Sequence, residues 1–165
     1  MGAQLVSSCL PSHLPRLHIR IAPDCAVASV AKHINIVLLG ADRISVSGDV
    51  SNKIGSLAAA ICAKHANPEV RVVVVSDGDK IVAPGTEHGP VERHPATEIT
   101  EAWRQKTREE LRAGKGVEVF GEWFEWVPAR LVDVYLTEAG ILDTSEVERV
   151  GREVGELEER LFEEL

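Results

Sequence analysis

Two short apolar runs, Ile36-Val37-Leu38-Leu39 and Val72-Val73-Val74-Val75, constrain this chain more than any other feature. Neither alternates between apolar and polar side chains, so neither reads as a strand with one wet face. Continuous aliphatic runs of this length suit strands buried on both faces, the habit of a parallel sheet covered by helices. They sit within β-rich stretches at 35–39 and 70–75, and a third such stretch, 17–22, comes before them. Helical patterns lie between. Residues 23–32 offer a start at Asp24 and an apolar stripe at Val27, Val30 and Ala31. Residues 51–65 are rich in Ala, and Asn67-Pro68 stops them. Strand, helix, strand, helix, strand is the pattern of an open doubly wound sheet. The expected fold is therefore α/β: a Rossmann-like, mainly parallel sheet with helices on both faces.

The rest of the chain is less regular. Residues 77–95 hold Gly78, Pro84, Gly85, Gly89, Pro90 and Pro95 and read as an exposed loop. Residues 97–112 look helical, with Ile99, Trp103 and Leu111 among charges. Residues 117–126 are β-branched and aromatic and read as a strand. Pro128 suits the first turn of a helix reaching Tyr135. Val147, Val150, Val154, Leu157, Leu161 and Phe162 then recur at helical steps, giving an amphipathic terminal helix over 145–165 with an acidic outer face. The domain proper is expected over 1–144. It opens on an apparent helix at 3–10, where a doubly wound domain starts on a strand and a glycine-bearing turn, so its beginning reads as truncated.

Composition narrows the function. The chain has 165 residues and a formal net charge of -8, enough for one domain and unfavourable for a nucleic-acid duplex as partner. Cys9, Cys25 and Cys62 have no regular spacing, which argues against a disulfide framework or a zinc site and fits a reducing compartment, the cytoplasm. His33, His65, His88 and His94 are scattered without the pairing that a metal needs, and no cofactor motif is present. No apolar run is long enough to span a bilayer, so no membrane partner is expected.

The stretch richest in chemistry runs from Leu39-Gly40-Ala41-Asp42-Arg43-Ile44 through Gly48-Asp49 to Asn52-Lys53-Ile54-Gly55. Asp42 lies just past the carboxyl end of a strand, where open α/β sheets bind ligands. A carboxylate there can move protons or accept bonds from a sugar hydroxyl. Asn52 and Lys53 are expected at the start of the next helix, where backbone amides and an ammonium favour phosphate. Gly40 and Gly55 allow tight turns. On this reading Gly40, Asp42, Asn52 and Lys53 bind one ligand, with Asp42 and Lys53 facing one cleft. The plainer reading makes Asp42 a turn cap and Lys53 a solvated surface lysine.

These blocks resemble a known family. The Gly-Ala-Asp-Arg block and the Asn52-Lys53-Ile54-Gly55 block are similar to the central motif of the family that joins the alpha, beta and delta subunits of initiation factor 2B to related sugar-phosphate isomerases. Phe124-Glu125-Trp126-Val127-Pro128, continuing through Asp133, Tyr135 and Thr137-Glu138-Ala139-Gly140-Ile141-Leu142, resembles its second recurrent block. Asp24 fits an Asp-Ser pair, with Cys25 in place of the serine, and Gly2 fits a glycine opening the preceding helix. The resemblance runs over roughly residues 2 to 145. It implies the carboxyl-terminal domain of such a protein, without the family's amino-terminal helical domain.

The isomerases of the family act on methylthioribose 1-phosphate or ribose 1,5-bisphosphate, and the resemblance makes Asp42 their proton-carrying aspartate and Asn52-Lys53 their substrate-holding pair. Their cysteine belongs to an upstream Thr-Cys-Asn stretch that residues 1–165 do not contain. Cys9 and Cys62 read as packing residues, and Cys25, near the ligand edge, is the thiol to test. Lys80 sits where the family often carries a lysine after this strand, although Asp79-Lys80 is equally an exposed loop. The resemblance therefore implies first a domain for subunit assembly and translation-initiation control, with a retained pocket for a sugar phosphate or nucleotide monophosphate. Its alternative is an aldose–ketose isomerase or a relative of one. Association as a homodimer, or with related subunits, is expected from the family and from an exposed sheet edge. The terminal helix folds back on its own domain or packs on a partner.

Overall fold

The computed structural model describes residues 18–86, 92–93, 95–113 and 116–162. In chain order the strands are β1 (Ile36–Leu39), β2 (Arg43–Ile44), β3 (Val50–Lys53), β4 (Arg71–Val75), β5 (Phe124–Val127), β6 (Val134–Thr137) and β7 (Gly140–Leu142). The helices are α1 (Val27–Val30), α2 (Ser56–Ala66), α3 (Ala96–Thr100), α4 (Gln105–Ala113) and α5 (Thr144–Phe162). β1, β4 and β6 lie side by side and parallel, and β7 returns antiparallel on the far edge. A second sheet, β2-β3-β5, is antiparallel throughout. The fold is thus α/β with a mixed sheet and an antiparallel arm, a coarser match to the mainly parallel expectation.

The apolar runs form the expected strands, but among the described residues only one face of them is covered. Val37, Leu39, Val72 and Val74 are buried with Ala60 and Ala63 of α2 in one cluster that Ile44, Val50, Val70, Ile81, Val127, Tyr135 and Val147 complete. The opposite face carries Ile36, Leu38, Val75, Leu136 and Ile141, all exposed, Leu38 at 69% and Ile141 at 70%. The expectation of helices on both faces is corrected here: among the described residues, the helix-covered face is the one carrying Val37 and Val72.

Several local expectations also fail, each for a stated reason. Residues 18–22 form no strand and are exposed, because β1 pairs with β4 and has no other neighbour among the described residues. Asn52 and Lys53 lie on β3, not at a helix start. Two strands pair with that segment, and α2 begins only after Gly55 turns the chain at φ +103. Asp24 opens a single 3-10 turn without a side-chain cap, and α1 follows as one short turn. The helix expected at 97–112 is two helices broken at 101–104, and the strand expected over 117–126 is confined to Phe124–Val127. After Pro128 there is one 3-10 turn, Ala129–Leu131, and then β6. Pairing with β4 overrides the helix-start signal of the proline. The segment 3–10 lies outside the described residues.

α5 is set by a reciprocal cap. Asp143 Oδ1 accepts from the Glu146 amide at 2.9 Å, and Glu146 Oε2 accepts from the Asp143 amide at 2.8 Å. The first half of the helix packs on its own domain. Val147 is fully buried, and at Gly151 a Cβ would lie 2.5 Å from Val46 Cγ1 and 3.1 Å from the Val82 carbonyl. Only glycine allows that approach. No described helix is long and apolar enough to cross a membrane.

Candidate functional site

Beyond the carboxyl ends of β1, β4 and β6 lies an open cleft of about 420 Å³. Gly40 and Ala41 after β1, Ser76, Asp77 and Lys80 after β4, Thr137 at the end of β6 and Glu138 just past it line the cleft, over Val75 and Leu136. Parallel strands end together, so the short polar segments that follow them converge, which is why ligands bind at this edge of such sheets. The lining mixes one ammonium, two carboxylates and two hydroxyls. Carboxylates and hydroxyls suit the hydroxyl groups of a sugar, and a lone ammonium suits one anionic substituent.

The walls are pinned. Glu138 Oε2 accepts from the Gly78 amide at 2.8 Å, which ties the loop after β4 to the turn after β6. A Cβ on residue 78 would lie 2.8 Å from Glu138 Oε1, so a side chain there would push the carboxylate aside. Thr137 Oγ1 accepts from the Ala139 amide at 3.2 Å, and the Ser76 amide donates to the Leu136 carbonyl at 3.0 Å. Lys80 is half-buried, and among the described residues no carboxylate forms an ion pair with it.

The residues expected from the sequence take different positions. Gly40 lines the cleft. Asn52 is beside it: its Oδ1 lies 3.8 Å from where a Cβ on Gly40 would be, and its Nδ2 donates to Ser56 Oγ at 2.9 Å. Asp42 is exposed, with its amide bonded to the Ser51 carbonyl at 2.8 Å. Lys53 follows Asn52 on a strand, so the two side chains point to opposite faces of the arm. The Lys53 ammonium lies 3.7 Å from the Phe124 ring centre and 4.5 Å from that of Trp123. Phe124 is its direct cross-strand partner, which explains the contact. Lys53 is not among the residues that line the cleft.

The start of α2 is occupied by protein. Glu125 Oε1 accepts from the Gly55 amide at 2.5 Å and from the Leu57 amide at 2.9 Å. A carboxylate from β5 therefore satisfies the donors that a phosphate would need. Other acids of the two motif blocks do similar structural work. Asp49 Oδ1 accepts from the Ala129 amide at 2.8 Å. Asp133 accepts from Lys64 Nζ at 2.6 Å and from the Val72 amide at 2.7 Å, and Lys64 also donates to the Val70 carbonyl. Burial alone would raise the Asp133 carboxyl, but Lys64 and the Val72 amide outweigh it and hold it below the usual carboxylate range. Tyr135 donates to the Gly48 carbonyl at 2.5 Å. Burial pushes its hydroxyl up to about 12; the Thr144 hydrogen bond opposes this and the Asp49 carboxylate adds to it.

Cys25 is exposed and Cys62 half-buried on α2, while Cys9, His88 and His94 lie outside the described residues. Among the described residues no group of three or more His, Cys, Asp or Glu side chains could hold a metal ion. Ser76, Asp77, Thr137 and Glu138 are missing from the sequence-based site. Thr137 and Glu138 stand in the second recurrent block of the sequence, whereas the one signal of Ser76 and Asp77 is that they follow a strand, which turn residues share.

Comparison with known proteins supplies the context. The chain is 33% identical over 129 residues to the methylthioribose-1-phosphate isomerase of Pseudomonas paraeruginosa, a match covering 77% of this chain and 34% of that protein. The chain thus spans about a third of the length of the curated relatives that it matches. Among solved structures, the 5-methylthioribose 1-phosphate isomerase of Pyrococcus horikoshii shares the fold with a TM-score of 0.65 at 21% identity, covering 86% of this chain and 38% of that one. The delta subunit of initiation factor eIF-2B from A. fulgidus does so with a TM-score of 0.67 at 21% identity, covering 90% and 42%. The profile of the initiation factor 2 subunit family matches residues 16–144. The chain belongs to that family, whose fold initiation factor 2B subunits and methylthioribose-1-phosphate isomerases share.

Proposed function

We propose that the carboxyl edge of the parallel sheet binds a sugar phosphate, and that the chain is a relative of the methylthioribose 1-phosphate or ribose 1,5-bisphosphate type of aldose–ketose isomerase. The cleft of about 420 Å³, lined by Gly40, Ser76, Asp77, Lys80, Thr137 and Glu138, carries this reading. Asp77 and Glu138 accept from sugar hydroxyls, and Lys80 faces the phosphate. Asn52, next to Gly40, donates to the same ligand. Lys53 adds a second cation at the rim when its ammonium leaves the rings of Phe124 and Trp123. Moving a carbonyl along a sugar chain needs a group that takes a proton from one carbon and returns one to its neighbour. Asp42, exposed two residues past Gly40, is the carboxylate for that step. The 33% identity to an isomerase over 129 residues supports this reading over a purely regulatory one.

A second reading has its own observation. The sheet face on which Ile36, Leu38 and Ile141 are exposed suits a subunit contact, and the likeness to an initiation factor 2B delta subunit supports an assembly domain. On that reading the chain forms a homodimer or joins related subunits in translation-initiation control.

Incubation with methylthioribose 1-phosphate and with ribose 1,5-bisphosphate, read as ketose formed, separates the two. Turnover that Asp42→Asn abolishes is the expected result. A chain that neither turns over nor binds either compound, and that runs as a dimer in light scattering, would replace the isomerase reading with the assembly one.

A further inference from the structure

Lys80 is the one ammonium among the residues that line the cleft, and among the described residues no carboxylate forms an ion pair with it. The backbone on either side sets where it stands. On one side, the Gly78 amide is tied to Glu138 at 2.8 Å. On the other, Ile81 pairs with Ile44 in a parallel bridge, and the Val82 amide donates to the Ile44 carbonyl at 3.0 Å. Ile44 follows Gly40 and Ala41, so this bridge joins two walls of the cleft, the segment after β1 and the segment after β4. Both isoleucines are buried.

α5 lies against that bridge. Val147 is fully buried in the same cluster as Ile44 and Ile81, and Gly151 follows one turn later. A Cβ on Gly151 would lie 2.5 Å from Val46 Cγ1, 3.1 Å from the Val82 carbonyl oxygen and 3.5 Å from Ile81 Cγ2. The helix thus meets both segments at one point. Val46 Cγ1 can give way, but the Val82 carbonyl belongs to the residue whose amide holds Ile44. The helix has little room to retreat, because the reciprocal cap of Asp143 and Glu146 fixes its start and Val147 fixes its first turn. A side chain at 151 therefore pushes on the segment that follows Lys80, and a close-packed interior passes such a push on. The matched family profile ends at residue 144, where α5 begins, so it assigns the helix no part in the cleft.

We infer, on the sugar-phosphate reading of the cleft, that Gly151 is a positioning residue: by letting α5 sit directly on the bridge between Ile44 and Ile81, it holds Lys80 in place beside Gly40 and Glu138 for the phosphate. Gly151 is not among the residues that line the cleft, so its effect on a ligand passes through Lys80.

Calorimetric titration of the full chain with methylthioribose 1-phosphate, and with ribose 1,5-bisphosphate, tests this. Gly151→Ala should weaken binding about tenfold, since an ammonium moved by about 1 Å no longer meets an anion at hydrogen-bond distance. Lys80→Met should weaken it by a similar factor. Gly151→Ala added to Lys80→Met should then weaken it little further. A glycine that served stability alone would change affinity by the same factor in both backgrounds, or not at all. Val46→Ala combined with Gly151→Ala removes the atom nearest the new Cβ and should restore part of the binding. If circular dichroism shows that Gly151→Ala alone does not fold, this pair takes its place in the same cycle, since the contact with the Val82 carbonyl remains. Unchanged affinity in Gly151→Ala, or equal losses with and without Lys80, overturns the inference and leaves the cleft reading standing. So does a failure of Val46→Ala to restore any binding to a folded Gly151→Ala. A wild-type chain that binds neither compound overturns the cleft reading itself, and the role of Gly151 with it.

Discussion

Val72 and Val74 in the parallel sheet and Val50 and Val127 in the antiparallel arm are all fully buried, yet different forces fix the strands that carry them. β4 lies between β1 and β6, and its inward valines stack on α2, so apolar contact along the whole strand sets its place. The arm is placed by single polar side chains that reach backbone groups far along the chain. Asp49 holds the Ala129 amide across 80 residues, Tyr135 holds the Gly48 carbonyl across 87, and Glu125 holds the Gly55 amide across 70. A stack of valines loses little if one contact weakens. A bond of the second kind has no substitute, because a buried polar group left without its partner costs more than a typical bond contributes. The arm should therefore respond to single conservative substitutions that the parallel sheet would absorb.

Tyr135 gives the largest expected effect, because it joins β6 to the β2–β3 turn. Tyr135→Phe removes the donor to the buried Gly48 carbonyl, and the expected loss is about 1–3 kcal/mol in urea unfolding near neutral pH. The pH dependence isolates the same group. Its folded pKa, about 12, lies above the ordinary value of 10.0, so the neutral hydroxyl is favoured in the folded state. That contribution is complete below pH 10 and is lost as pH rises from there through about 12. The loss across that window is about 2–3 kcal/mol. The chain has a single tyrosine, so ultraviolet absorbance of tyrosinate follows it without ambiguity. An ordinary tyrosine titration in the folded protein, or an equal alkaline loss in Tyr135→Phe, would refute the assignment.

Glu125 comes next. Glu125→Gln weakens the acceptor for the Gly55 and Leu57 amides at the start of α2, and the expected cost is about 1–2 kcal/mol. Hydrogen exchange should locate the change. Amides of β3, β5 and the first turn of α2 should lose protection, while those of β1 and β4 keep theirs. Uniform loss across both sheets would mean that the arm and the parallel sheet open as one unit, and the comparison between them would fail.

The same contrast explains what could be read from the sequence. β1 and β4 are legible because burial of a strand needs only neighbouring aliphatic residues, which Val72-Val73-Val74-Val75 displays locally. β3 is not, because Val50-Ser51-Asn52-Lys53 is short and polar and leads into an Ala-rich helix; its pairing with β2 and β5 decides its conformation. β6 is hidden by Pro128, a good helix opener, and revealed by its register with Val73 to Val75. In the site, Gly40 is found because a strand end is a local feature. Ser76, Asp77, Thr137 and Glu138 are not, since their meeting requires three strands far apart in sequence to end at one edge. Glu125 has the same history: the motif marks it, but only the fold shows that its carboxylate fills the helix start.

Lys53 should have the smallest effect on stability and is the sharpest test of where the arm ends and the site begins. Its ammonium lies over the Phe124 ring at 3.7 Å, on an exposed side chain, so the contact is worth about 0.5–1 kcal/mol. Lys53→Met keeps the aliphatic stem against Phe124 and removes only the charge. The urea midpoint should fall by no more than that amount, and the loss should remain when Glu125→Gln is added, since the two act on opposite faces of the arm. Ligand binding is a separate readout. An interaction this weak holds the ammonium loosely, so the cost of turning it toward a phosphate at the rim is small. If it does so, Lys53→Met should weaken methylthioribose 1-phosphate binding about tenfold in calorimetric titration, far more than its effect on stability. Unchanged affinity with the small stability loss intact would make Lys53 part of the arm's packing alone and leave Lys80 as the cation of the cleft.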